Sequence, residues 1–146
     1  IFIFERVRLI KRTMDIPYII LLTHGRWGEE LIDSTKSIIG QVDDIYSFSL
    51  LPEMKVEDYI KNIKEVLKRA PSNTILITDL HCGTTTNVAL MLSQDFHIKV
   101  VTGLNMYLLI QIEEMRKKKD ICLEDVLQQL IEQNRSQCKL VKLEDL

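Results

Sequence analysis

Two short, almost unbroken apolar runs constrain this chain more than anything else in it. Residues 16–23 hold Ile16, Tyr18, Ile19, Ile20, Leu21 and Leu22, with Pro17 and Thr23 near the ends, and residues 74–79 hold Ile75, Leu76 and Ile77 between threonines. A strand that is apolar at consecutive positions has no face to give to water, so it must be covered on both sides, as parallel strands are between layers of helices. Neither run approaches the roughly 18–20 residues a helix needs to cross a bilayer.

The segments between and after these runs supply the cover. Residues 29–39 set Leu31, Ile32, Thr35, Ile38 and Ile39 on one helical face, with Gly40 as the stop. Residues 44–51 alternate Tyr46, Phe48 and Leu50 as a second strand. The clearest helix covers 56–70, striped by Val56, Tyr59, Ile60, Ile63, Val66, Leu67 and Ala70 and ended by Pro71. A turn-rich stretch, 80–86, opens a helix over 87–93; a strand over 98–102 and helices over 105–118 and 123–134 follow, and 138–143 alternates as a short edge strand. The order β-α-β-α-β-α-β-α-α-β predicts an α/β domain: an open, mostly parallel sheet with helices on both faces and a C-terminal edge strand.

With 146 residues there is room for one domain. Nineteen Lys and Arg against 21 Asp and Glu leave a net charge of −2, not the basic field that nucleic acid or an anionic membrane selects. Cys82, Cys122 and Cys138 are odd in number and lack CxxC spacing, which argues against a disulfide framework or zinc knuckle and for a reducing compartment. Residues 1–13 form an N-terminal extension ahead of a domain over 14–146. Upstream translation before Met14, an expression remnant and a packing arm all remain open for it, because its four-residue apolar start precedes its charges, the reverse of a secretory signal. The run Arg116, Lys117, Lys118 and Lys119 reads as a solvated helix end whose cations complement the helix dipole.

In an open parallel sheet, ligands bind beyond the carboxyl ends of the strands, where the strand order reverses. That rule selects Thr23, His24 and Gly25, then residues 51–53, 79–87 and 102–105. Gly25, Arg26, Trp27 and Gly28 do not make the GxGxxG of a dinucleotide site, and no Walker loop is present. His81 and Cys82 ahead of Gly83 resemble the cysteine loop of protein phosphatases, but position 88 is Val where that loop needs its phosphate-clamping Arg. What remains is an imidazole, His24, and a carboxylate, Asp79, each ending a strand. Residue type alone leaves each with a structural alternative: a surface histidine and a helix-capping acid.

The stretch from Ile19 to Gly25, the stretch from Asp79 and Leu80 through Gly83 and Thr84 to Asn87, and the stretch Val101, Thr102, Gly103, Leu104 and Asn105 closely resemble the three signature segments of mannose-type enzyme IIA. This is a phosphocarrier of the bacterial phosphoenolpyruvate-dependent sugar phosphotransferase system (PTS), and the resemblance covers residues 15–143. It implies a flavodoxin-like, dimeric, cytoplasmic domain with no cofactor and no metal. In it His24 accepts the phosphoryl group, Asp79 orients His24, and Gly83, Thr84 and Thr85 bind the phosphate, with Thr86 as a further helper or a cap. Gly25, Trp27, His81 and Asn105 would form the rim; Trp27 reads equally as a loop aromatic or a docking residue. The implied partners are HPr as donor, a IIB protein as acceptor and, indirectly, membrane IIC and IID components; nucleic acid is not among them. The chain departs from the family's usual Gly-Gly-[ST]-Pro-x-Asn, with Cys82 for the first Gly and Thr85 for the Pro, and has Tyr107 where Pro is usual. Two alternatives stay open: a IIA-like phosphoacceptor domain of a transcriptional regulator, since the chain begins without Met, and the phosphotransfer subunit of a dihydroxyacetone kinase.

Overall fold

The structure, a computed structural model, describes residues 15–146, so the expectation for residues 1–13 lies outside the described residues. Four strands, β1 (Ile19–His24), β2 (Ile45–Leu50), β3 (Ile75–Thr78) and β4 (Lys99–Thr102), pair in the order β2-β1-β3-β4, all parallel. The helices are α1 (Trp27–Ile39), α2 (Val56–Leu67), α3 (Thr84–Phe96), α4 (Met106–Arg116) and α5 (Leu123–Arg135). The architecture is the α/β, flavodoxin-like one. Among the described residues no helix is long and apolar enough to cross a membrane.

The consecutive apolar residues of the central strands divide between two cores. Ile19 and Leu21 of β1, with Ile75 and Ile77 of β3, face Ile32 of α1, Leu108, Leu109 and Ile112 of α4, and Leu127 and Leu130 of α5. Ile20, Leu22 and Leu76 point the other way, onto Tyr59, Ile63 and Leu67 of α2 and Val88, Ala89 and Leu92 of α3. Strand period and burial on both faces thus explain why β1 and β3 lack polar positions until their ends.

The sheet also places the chemistry. β1 is followed by β2 on one side and pairs with β3 on the other, so the order reverses between β1 and β3. Leu22 pairs with Thr78, and the Asp79 N–H donates to the Leu22 carbonyl at 3.3 Å, bringing the residue after β3 beside the end of β1. His24 and Asp79 meet at that crevice.

Three expectations change. The alternating stretch 138–143 does not form an edge strand: a single 3₁₀ turn, Leu143–Asp145, is the only regular structure beyond α5. A strand exists only by pairing, and among the described residues this stretch meets no sheet edge, leaving Leu140, Val141 and Leu143 in solvent. Helix α3 starts at Thr84 rather than 87, because the helix opens directly at Gly83 and takes the threonines into its first turn. Arg116 is not part of a solvated helix end. Its guanidinium is buried, donates to the carbonyls of Pro17 (2.7 Å), Asp43 and Asp44, and pairs with buried Glu113 at 2.5 Å. Lys117 completes the cluster on Glu113 at 2.6 Å.

This buried ion pair ties α4 to the amino-terminal ends of β1 and β2, opposite the crevice. Removing one partner strands the other charge in the interior, which costs about 3–5 kcal/mol. Arg116→Ala is therefore expected to lower the free energy of urea unfolding by about that amount, and a loss under 1 kcal/mol would show that the cluster does not fasten the sheet.

Candidate functional site

Asp79 is the hub of the crevice. Its side chain is 7% exposed, and it accepts the backbone N–H of His24 on Oδ2 at 2.7 Å. The His24 ring reaches the same carboxylate through Nδ1, 2.9 Å from Oδ2 and 3.2 Å from Oδ1. Oδ1 also accepts the Leu80 N–H and the Thr85 hydroxyl, each at 2.9 Å. Burial pushes the Asp79 carboxyl up, but the hydrogen bonds from His24 and Thr85 and the attraction of the imidazole outweigh it and hold the group below the usual carboxylate range. An ionised carboxylate can only accept, so Nδ1 carries the proton and the lone pair is on Nε2.

Nε2 faces Gly83. That residue has φ +156° and ψ 175°, a conformation essentially reserved for glycine, and a Cβ there would stand 3.4 Å from Cε1 and 3.7 Å from Nε2 of His24. A larger residue would be strained there and would stand against the Cε1–Nε2 edge of the ring. Gly83 also caps α3, whose first-turn N–H groups have no partner inside the helix and form an electropositive end beside His24. Thr86 steadies this loop. It donates its one hydroxyl proton to the Leu80 carbonyl, so its bond to Thr78 at 2.8 Å is donated by Thr78.

The arrangement is a nucleophilic imidazole of fixed tautomer next to a helix end suited to an anion. A profile of the family described as PTS system fructose IIA component, EIIA-man, matches residues 18–131. The chain belongs to this family. The mannose/sorbose specific IIA subunit of the phosphotransferase system from Enterococcus faecalis is 27% identical and superimposes with a TM-score of 0.78 over 88% of this chain and 97% of that one. The phosphotransferase system component EIIA from Streptococcus agalactiae, 22% identical, has a TM-score of 0.77 over 88% and 98%. A sigma-54 interaction domain protein from Enterococcus faecalis, at 17% identity and TM-score 0.69 over 82% and 91%, shares the fold. A comparison with curated proteins gave no match. The chain is thus a IIA component of mannose type, and its family is one of phosphotransfer.

Within this IIA component the residues singled out from sequence fall into two groups. His24, Asp79, Gly83, Thr84 and Thr85 come together. Thr85, expected to bind phosphate, is fully buried, and its hydroxyl is engaged by Asp79, which leaves only its backbone N–H for an anion. Thr84, one helical step earlier, is partly exposed. Gly25 follows His24 and its N–H donates to the Leu50 carbonyl at 3.0 Å. Trp27 opens α1 and is 40% exposed, and His81 is exposed on the loop.

Asn105, partly exposed just after β4, spends its side chain on helix packing. It caps α4 by accepting the Leu108 N–H at 2.9 Å, and its amide exchanges hydrogen bonds with Asn134 of α5. The sequence reading missed Tyr59, whose hydroxyl donates to the Phe48 carbonyl at 2.8 Å; burial and then the Asp79 charge push its phenol well above the usual value. Its place in an apolar helical stripe hides any polar role.

The depressed carboxyl makes a pH prediction. A carboxyl lowered on folding adds stability that is complete above its unfolded value, ~3.9, and is lost as pH falls through the folded value. Asp79→Asn should be less stable than the wild type in urea unfolding at pH 7, with the gap narrowing below about pH 4. A gap of constant size from pH 7 to pH 3 would contradict the assigned ionisation.

Proposed function

We propose that this IIA component carries a phosphoryl group on Nε2 of His24, receives it from phospho-HPr and passes it to a IIB protein during sugar uptake on the cytoplasmic side. The observation that carries the reading is the pairing of Nδ1 with the Asp79 carboxylate at 2.9 Å, which leaves Nε2 free toward Gly83.

The neutral ring attacks phosphorus with its Nε2 lone pair. The new N–P bond forms as the donor's N–P bond breaks, and that electron pair returns to the donor imidazole. Positive charge developing on His24 is met by Asp79, which keeps the Nδ1 proton hydrogen-bonded throughout. The negative charge spread over the equatorial oxygens is met by the first-turn N–H groups of α3 and the Thr84 hydroxyl. Donor and acceptor are both phosphoimidazoles, so the exchange is near balance, and delivery to a IIB histidine repeats it in the opposite sense. The 27% identical mannose/sorbose subunit supports placing the chain in this transport system.

With phosphoenolpyruvate, enzyme I and HPr, the wild type should take up labelled phosphate in an acid-labile, base-stable form, and His24→Ala should take up none. Full labelling of His24→Ala would end the proposal.

The reading includes a homodimer. Leu140 and Leu143 are 88% and 82% exposed on the tail after α5, and β4 pairs only with β3 among the described residues. A tail strand laid on the β4 edge of a second copy would satisfy both. Light scattering should give twice the chain mass for the full chain and one chain mass after deletion of 138–146; a monomeric full chain would remove this part of the reading.

A further inference from the structure

The donors that hold Asp79 are of unequal kind. The N–H groups of His24 and Leu80 are backbone, fixed by the strand end and the loop, and Nδ1–H belongs to the nucleophile itself. The remaining donor, the Thr85 hydroxyl at 2.9 Å from Oδ1, is a side chain on a different element, the first turn of α3. Thr85 is completely buried, so no water competes for that proton.

We propose that Thr85 is a positioning residue: its buried hydroxyl locks the Asp79 carboxylate in the rotation that aims Oδ2 at Nδ1 of His24, and so fixes the reactive tautomer. The inference rests on the phosphocarrier reading above and deepens it. Oδ1 is held by the Leu80 N–H and the Thr85 hydroxyl and lies 3.2 Å from Nδ1, while the His24 N–H holds Oδ2. Without the hydroxyl the two backbone donors still grip the carboxylate but fix its rotation about the Cβ–Cγ bond less tightly, so the Oδ2–Nδ1 bond loosens and the ring gains a share of the tautomer with its proton on Nε2, which has no lone pair for phosphorus. The titratable groups facing Asp79 are His24 from β1 and Tyr59 from α2, and the Tyr59 hydroxyl is committed to the Phe48 carbonyl. Neither replaces the lost donor. The bond also joins the two halves of the site, because the turn that braces the carboxylate is the turn whose N–H groups would meet the phosphoryl oxygens.

The test uses the full chain as wild type, Thr85→Ser, Thr85→Val and Thr85→Ala. Nitrogen-15 imidazole spectra of the unphosphorylated protein report the fraction of His24 with its proton on Nδ1, and phosphotransfer from phospho-HPr gives kcat and KM separately. The serine variant should match the wild type in both. Valine and alanine should shift the tautomer toward Nε2–H and lower kcat about tenfold with KM unchanged, the size expected for one hydrogen bond to a charged acceptor. Wild-type tautomer and kcat in Thr85→Val would overturn the proposal. Serine impaired as much as valine would also overturn it, because the methyl group and not the hydroxyl would then matter. Should valine fail to fold, alanine against serine makes the same comparison. If the wild type accepts no label, the phosphocarrier reading falls, and the imidazole spectra still decide what Thr85 does.

Discussion

The carboxylate of Asp79 is where the parts of this site are joined. It grips His24 twice, through the backbone and through the ring, and is gripped in turn by the loop at Leu80 and by α3 at Thr85. Each donor favours the ionised form, and together they overcome the penalty of burying a charge. A charge held by several fixed donors cannot relax toward solvent, so the imidazole meets a preset partner. In electrostatic terms, much of the reorganisation that the proposed phosphoryl transfer would need is completed during folding.

That junction exists because of how the sheet is wound. The reversal of strand order between β1 and β3 opens a crevice at their carboxyl ends, and the doubly covered strands make both walls rigid. At the other end of the sheet Arg116 gathers the carbonyls of Pro17, Asp43 and Asp44 around a buried guanidinium. One end of β1 is therefore pinned by a cation and the other by an anion, and between them Ile19–Leu22 are fully buried hydrocarbon.

Much of this was legible in the residues. Consecutive apolar positions in residues 19–22 and 75–77 admit little besides a covered parallel strand, and the helical stripes fix the layers. The His24 and Asp79 pair followed from the rule about strand ends together with the family resemblance. What escaped reading has a common cause: neighbouring residues of one type are separated only by three-dimensional context. Thr84 and Thr85 are alike as letters, yet one helical step of about 100° turns the first outward and the second onto Asp79. Arg116 looks like the lysines after it until the carbonyls that surround it are in place. Residues 138–143 carry a strand's alternation without a strand's neighbour, and alternation by itself does not supply one.

The His24 ring stands 43% exposed at the mouth of the crevice rather than inside a cavity. A group attached to its outer nitrogen would stand in bulk water and within reach of a large, convex visitor, without any lid having to open. Such a placement suits a relay better than a store. On the proposed function, the lifetime of the loaded protein would be a race between collision with the next carrier and hydrolysis.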